Sequence, residues 1–470
     1  MKMKERIETL EEKIYSNKKF AVFLTVFAAT QLAVVLSSWN SPLIWDSSVY
    51  AGMGKRIFSG WQYGIWESFR PLMLPVILGS LWKAGMPLVG FPRLLGVLIS
   101  VTGIIGIYVM LKNFFQKNTA FFTTAILMSS MIFYKYSHYA LTGVPSAILV
   151  FTGAYMAQRD RKIFSGFFSS LGFLTRFPAA VAAPGIAAYL FFDSLRDGIC
   201  FEAFKRPLIY TVSFFATTIP YFAYNIHLYG DAFRPLINGA TIPAMNPDKY
   251  FYGVYYLLEA VKAQPFILFL PLGIFVVLKS RDWDYGAFLA PMISLYVFFT
   301  VYSHKEPRFM LLFLPFLALF SAEGLRELKS REYVSQDVFV KIASASLMVM
   351  MLVSFSVSFG QSQWVNQDRV EFLEETGELE GVVAGNDPVV VLYGDFEFVP
   401  IRPENLKEIY GNIKGEADYY AFNSCSWYCT PAIDNCESML SNFSKGMRSN
   451  YSEKFSLQGS SCNYTIYEDK

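Results

Sequence analysis

Two groups of ionisable residues interrupt a chain that is otherwise apolar. Between Glu12 and Asp193 there are only three acids, Asp46, Glu67 and Asp160. Asp160 stands among Arg159, Arg161 and Lys162 and is explained as a solvated loop residue. Asp46 follows the apolar Pro42-Leu43-Ile44-Trp45 and opens a short amphipathic stretch, Ser47-Ser48-Val49-Tyr50-Ala51-Gly52-Met53-Gly54. A carboxylate beside aromatic groups at a membrane surface is partly desolvated, which raises its pKa and suits it to act as a general base. The same position suits a helix N-cap, whose side chain accepts from the exposed amides of the first turn. Glu67 reads as a loop acid.

The second group is His304-Lys305-Glu306-Pro307-Arg308-Phe309, which places four ionisable side chains within five residues between two apolar runs. Charges next to a bilayer are costly and tend to serve function. Lys305 and Arg308 together offer ammonium and guanidinium donors to a phosphate, with Arg70 and Arg176 as further cations. The alternative is an interfacial loop whose long side chains snorkel to water. Other chemistries lack their residues. There is no Gly-x4-Gly-Lys-Ser/Thr, His-Glu-x-x-His or Gly-x-Ser-x-Gly. Three histidines, His138, His227 and His304, are too few for a polyhistidine metal centre. Asp282-Trp283-Asp284 reads as a loop, and no Asp-x-Asp lies near Asp46. No metal or cofactor is assigned; a divalent cation is left open.

These residues must be held by a membrane domain. Of 470 residues, 53% are apolar, 17% aromatic and 17% charged, against about 25% charged in soluble domains. Residues 1–359 carry 32 Lys/Arg and 20 Asp/Glu; residues 360–470 carry 8 and 18. A basic apolar body followed by an acidic tail predicts a polytopic α-helical membrane protein with a small extracytoplasmic α+β domain, divided at 359/360. With about 20 residues needed per span, runs at 20–39, 91–111, 118–134, 142–157, 163–175, 178–192, 208–226, 264–279, 286–302, 309–323 and 338–359 give eleven spans. The run 71–89, interrupted by Gly85 and Pro87, is expected to be re-entrant or interfacial. Without it, every Lys/Arg-rich loop falls on one side, including 1–19 and the loops of Lys112/Lys117, Arg159/Lys162, Arg196/Arg206, Lys279/Arg281 and Arg326/Arg331. By the positive-inside trend the N-terminus is cytoplasmic. Segments 40–90, 227–263 and 303–308 and the tail are then outside. Basic residues confined to short loops give no support to nucleic-acid binding.

The tail agrees with that orientation. Cys425, Cys429, Cys436 and Cys462 are four of the five cysteines, and they suggest two disulfides in an oxidising compartment. A four-cysteine zinc site is the competing reading, without the usual Cys-x2-Cys pairs. Asn442, Asn450 and Asn463 each begin a glycosylation sequon. A helix is expected near 366–380 and a strand at Pro388–Tyr393.

A long first outer loop with an acid, many spans, a later basic outer loop and a soluble tail resemble the GT-C superfamily of polyprenyl-phosphate-sugar-dependent glycosyltransferases. Asp46-Ser-Ser-Val-Tyr-Ala-Gly-Met-Gly looks like the first-loop acid motif, although Ser47 stands where the mannosyltransferases usually have a second acid. Arg70-Pro71-Leu-Met-Leu-Pro75 looks like the Pro-rich start of the next helix. Leu174-Thr-Arg176-Phe-Pro178 resembles a stretch of bacterial and archaeal members. His304–Phe309 is similar to the His-Lys-Glu-x-Arg-Phe motif of the dolichol-phosphate-mannose-dependent mannosyltransferases. The resemblance implies inverting transfer of mannose or another hexose from a polyprenyl- or dolichyl-phosphate donor to a glycan, lipid-linked glycan or protein acceptor, with Asp46 as base and with His304, Glu306 and Glu67 orienting donor or acceptor. The competing classes are a lipid or glycolipid flippase or transporter and a structural subunit of a glycosylation complex.

Overall fold

The structure, a computed structural model, describes residues 18–196, 200–245, 253–330, 336–363, 366–402, 417–427, 429, 435–459 and 461–469. The basic stretch 1–17 and Arg331 lie outside the described residues. Two compact units emerge. One takes its described residues from Met1–Ser37, Leu94–Leu236 and Asp248–Gln361, the other from Ser38–Arg93, Ile237–Pro247 and Ser362–Lys470. The first outer loop thus folds in the same unit as the C-terminal tail.

Five of the eleven expected runs form helices long and apolar enough to cross a membrane, namely Lys18–Ser37, Phe91–Lys112, Phe177–Arg196, Trp283–Val301 and Val338–Ser362. A helix of about 20 residues covers about 30 Å, the hydrocarbon thickness. Of the other runs, 208–226 lies in one continuous 30-residue helix, Cys200–Tyr229, with Pro207 and Pro220 inside it, and the rest give shorter or broken helices. The run 118–134 divides into Lys117–Ser129 and Met131–Ser137 because Ser130 is extended (φ −69°, ψ 121°). At Arg176 the chain is again extended (φ −154°, ψ 114°), and Pro178 lies in a 3-10 turn leading into Ala182–Arg196. The ambiguous run 71–89 yields an eleven-residue helix, Met73–Lys83, with Gly85 at φ +81° just beyond it. At 1.5 Å per residue this helix is about half the length a span requires.

The helical unit is packed by aromatic side chains and by close backbone approach. Phe20 stacks on Tyr108 with centroids 3.7 Å apart. A Cβ added to Gly273 would lie 1.7 Å from Phe320 O, and one on Gly324 would lie 2.2 Å from Phe269 O. Only glycine admits this contact between the two helices. The buried Gln31 and His138 are paired. The Gln31 amide donates to Tyr134 O at 2.8 Å and its Oε1 bonds His138 Nδ1 at 2.9 Å, a structural role for that histidine.

The second unit is built on a five-stranded sheet of order β2-β1-β3-β5-β4, with β1 Val382–Gly385, β2 Glu397–Pro400, β3 Tyr419–Asn423, β4 Tyr451–Gln458 and β5 Asn463–Asp469. β1 pairs in parallel with β2 and β3; β5 pairs antiparallel with β3 and β4. The expected helix near 366–380 is present as Gln367–Thr376, with Asn366 Oδ1 accepting from Arg369 N at 3.1 Å. The expected strand at Pro388–Tyr393 is instead a 3-10 helix, Pro388–Leu392. Asp387 accepts from Val389 N, and Pro388 takes the first helical position, so the turn is nucleated locally. Its valines are fully buried, and a short buried apolar run looks alike in strand and helix. The cysteines pair as Cys425–Cys462 and Cys429–Cys436, with Cα separations of 5.5 and 5.7 Å, within disulfide geometry. All three sequon asparagines are exposed.

Residues of the first outer loop extend this sheet. Gly64 N donates to Phe396 O at 2.7 Å and Phe398 N to Gly64 O at 2.8 Å, adding the loop beside β2. Lys55 and Arg56 pair with Asp395 and Glu397 at 3.0 and 2.6 Å. The basic loop and the acidic tail therefore complement each other in charge.

Candidate active site

Asp46 lies in the first turn of the helix Trp45–Phe58. The cap residue of that helix is Ile44, which has no side-chain capping bond, so Asp46 stands inside the helix rather than at its cap. The helix is seated against Met73–Lys83 through two glycines: a Cβ on Gly54 would meet Gly79 N at 2.5 Å, and one on Gly79 would meet Gly54 O at 2.4 Å. This contact fixes the helix that carries Asp46.

Around Asp46 the charges alternate. Arg70 donates from an Nη to Asp46 Oδ1 at 2.9 Å and from Nε to Glu67 Oε2. Arg402, from the loop after β2, donates to the other oxygen, Glu67 Oε1. The chain runs Arg402–Glu67–Arg70–Asp46. Glu67 is 4% exposed, so it is a buried carboxylate between two guanidiniums and not a solvated loop acid. The guanidinium of Arg70 lies 5.0 Å from the centroid of Tyr50 and 5.4 Å from that of Phe69; Arg402 lies over Phe69 at 5.8 Å. Burial alone would lower the pKa of Arg70, but the Glu67 and Asp46 carboxylates outweigh it and hold it well above the ordinary arginine value.

The His304–Phe309 stretch is organised locally and lies in the helical unit. The Glu306 carboxylate meets His304 Nε2 at 2.7 Å and accepts two bonds from Arg308. Burial opposes ionisation of Glu306, but the His304 hydrogen bond and Arg308 outweigh it and lower its pKa. Pro307 begins a 3-10 helix, Pro307–Leu312, that leads into Leu314–Ser330. Phe309 stacks on Phe299 at 5.5 Å and has Arg176 5.2 Å from its centroid. Lys305, expected to meet a phosphate, is bonded here to the backbone. Its Nζ donates to Phe299 O at 2.7 Å, Thr300 O at 2.8 Å and Tyr302 O. An ammonium has three N–H donors, and here they close the C-terminal end of the Trp283–Val301 helix, where a cation is favoured.

The structure thus gathers Asp46, Glu67 and Arg70 in one unit, and His304, Glu306 and Arg308 in the other, with Arg176 reached through Phe309. Sequence reasoning missed Arg402. It is one of only 8 basic residues in the tail, but nothing in its neighbourhood marks it, because its partner is 335 positions away.

A sequence model of the Alg9-like mannosyltransferase family matches residues 18–390. No curated protein sequence matches the chain. Among solved structures, the chain is similar to ArnT from Cupriavidus metallidurans bound to undecaprenyl phosphate, with 12% identity, TM-score 0.69 and coverage of 94% of this chain and 97% of that one. The apo form of the same protein matches with 13% identity, TM-score 0.59 and coverage of 95% and 98%. The Archaeoglobus fulgidus oligosaccharyltransferase in complex with Zn and sulfate matches with 13% identity, TM-score 0.54 and coverage of 85% and 68%. At these identities the likeness is one of fold.

Proposed function

The chain belongs to the Alg9-like mannosyltransferase family, and from that premise we propose that it transfers a mannosyl residue from a dolichyl- or polyprenyl-phosphate carrier to a glycan acceptor. It is an integral-membrane glycosyltransferase of GT-C type. In our reading its N-terminus is cytoplasmic and the sheet-bearing unit faces outward, as the basic loops, paired cysteines and exposed sequons suggest. ArnT, similar in fold, binds undecaprenyl phosphate, which supports a lipid-phosphate carrier here.

The observation that carries the reading is the fixed carboxylate of Asp46. Arg70 is immobilised by Glu67, and Glu67 by Arg402, so Asp46 is presented in one orientation. Asp46 takes the proton of an acceptor hydroxyl as that oxygen attacks the anomeric carbon. The new C–O bond forms opposite the breaking bond to the carrier phosphate, and the configuration inverts. The departing phosphate needs no protonation, only cations placed where its charge develops. Arg308 and Arg176 are assigned that role. Arg70 contributes positive charge from its place between the two acids. Lys305 holds the loop by closing the preceding helix and adds its charge without a free N–H among the bonds described above. His304 and Glu306 orient Arg308.

The test is transfer from radiolabelled dolichyl-phosphate-mannose by the purified protein, with release of lipid phosphate measured alongside. Asp46→Asn is expected to fold and bind donor but transfer about 10²–10⁴-fold more slowly. Near-normal turnover in that variant would remove Asp46 from the chemistry. Donor that is moved across a vesicle membrane without transfer would favour the flippase reading.

A further inference from the structure

In the sheet-bearing unit a cleft of about 910 Å³ lies between the outer loop and the C-terminal segment. Tyr63 and Trp82 line it from the loop side, and Glu378, Glu380 and Asp395 from the tail. The mechanism above uses none of these residues. The two rings are 6.4 Å apart with planes at 81°. Lys55 lies at the base, its side chain 3% exposed, with Nζ bonded to Gly394 O at 2.9 Å and to Asp395 Oδ1 at 3.0 Å and held 5.8 Å from the Trp82 centroid. It is the one basic side chain among the described lining residues. Glu378 and Glu380 are exposed and have no side-chain partner among the described residues.

This chemistry selects its ligand. Three carboxylates against one lysine, itself committed to Asp395, disfavour phosphate and other anions. A purely apolar ligand would leave the carboxylates without donors. A neutral sugar meets both halves of the lining, since its C–H faces cover aromatic rings and its hydroxyls donate to carboxylates. We propose that this cleft binds a neutral oligosaccharide, with pyranose rings against Trp82 and Tyr63 and hydroxyls donating to Glu378, Glu380 and Asp395. Its purpose rests on the glycosyltransferase reading: the cleft holds the acceptor glycan by sugars remote from the reacting hydroxyl.

The experiment titrates the full-length purified protein with α-linked mannotriose, read by saturation-transfer NMR without any donor present. Saturable binding is expected in the wild type and, unchanged, in Asp46→Asn. Trp82→Ala is expected to weaken it about tenfold. Glu380→Gln, at an exposed side chain whose replacement leaves the core intact, should weaken it about threefold. In turnover assays Trp82→Ala should raise KM for a glycan acceptor and leave kcat and donor KM unchanged. The proposal is overturned if mannotriose does not bind the wild type, if both variants bind it normally, or if anionic phospholipid vesicles rather than sugar occupy the cleft. Binding and turnover fail separately: transfer without mannotriose binding removes only the cleft, and mannotriose binding without transfer from any donor removes only the catalytic reading.

Discussion

The two charged clusters solve one problem in opposite ways. In the His304–Phe309 stretch Glu306 is taken by partners close in sequence, the residues two before and two after it. In the sheet-bearing unit, Asp46 is held by Arg70 from 24 positions away, and Glu67 by Arg402 from 335 positions away. A local cluster can form as soon as its turn forms. A long-range chain exists only after the outer loop has joined the sheet, so its geometry reports on the whole unit. A catalytic base benefits from the second arrangement, because a carboxylate fixed from several elements needs little reorganisation in the transition state.

The comparison breaks most sharply at the acids. Asp46→Asn should cost about 10²–10⁴-fold in transfer with little change in melting temperature. Glu67→Gln should do the reverse in emphasis: removing one partner of a buried ionic chain costs about 3–5 kcal/mol of stability, so its melting temperature should fall well below that of Asp46→Asn. If Glu67→Gln instead keeps its stability and loses turnover as completely as Asp46→Asn, Glu67 is the base.

Arg402 tests the long-range link. Arg402→Gln should lower kcat about 10–100-fold through misplacement of Arg70, with donor KM little changed. Arg402→Lys should recover part of it, because a lysine restores the charge but not the fork. Equal activity in all three proteins would reduce Arg402 to a surface contact. In the local cluster the expected contrast is between neighbours. Arg308→Ala should raise donor KM about 10–150-fold. Lys305→Ala should chiefly lower the melting temperature, since it uncaps a helix at a cost of about 1 kcal/mol. A donor KM effect as large for Lys305→Ala as for Arg308→Ala would return Lys305 to the phosphate.

What could be read from the sequence follows the same division. Five apolar runs long enough to span, the short helix stopped near Gly85, the break at Arg176–Pro178 and the paired cysteines of the tail all rest on local composition and backbone restriction, and the structure has each of these elements. The His304–Phe309 motif was legible for the same reason. The burial of Glu67 and the part of Arg402 were not, because both depend on a pairing of the first loop with β2 that no local pattern encodes. The bonds of Lys305 to the preceding helix end were not legible from charge alone, because they become visible only when the chain turns back there. The valines of Pro388–Leu392 read as a strand because burial hides periodicity.

The smallest expected effect concerns pH, and it sharpens the contrast from the local side. The pKa of Glu306 is lowered from its ordinary value of 4.5. A carboxylate with a lowered folded-state pKa contributes stability that is fully present above the unfolded value and is lost as pH falls through the folded value. The Glu306 contribution is therefore expected to decline as the medium is acidified below the ordinary carboxylate range. Glu306 is about one-quarter exposed (28%), and solvent screening keeps the effect small. The measurement is the melting temperature of wild type minus that of Glu306→Gln, followed from about pH 5 to about pH 3.5 in one detergent. A positive difference that shrinks across that range is expected. A difference that grows across it would mean that Glu306 is destabilised as a carboxylate in the folded protein, and the alternation His304–Glu306–Arg308 would then not be what holds Arg308 in place.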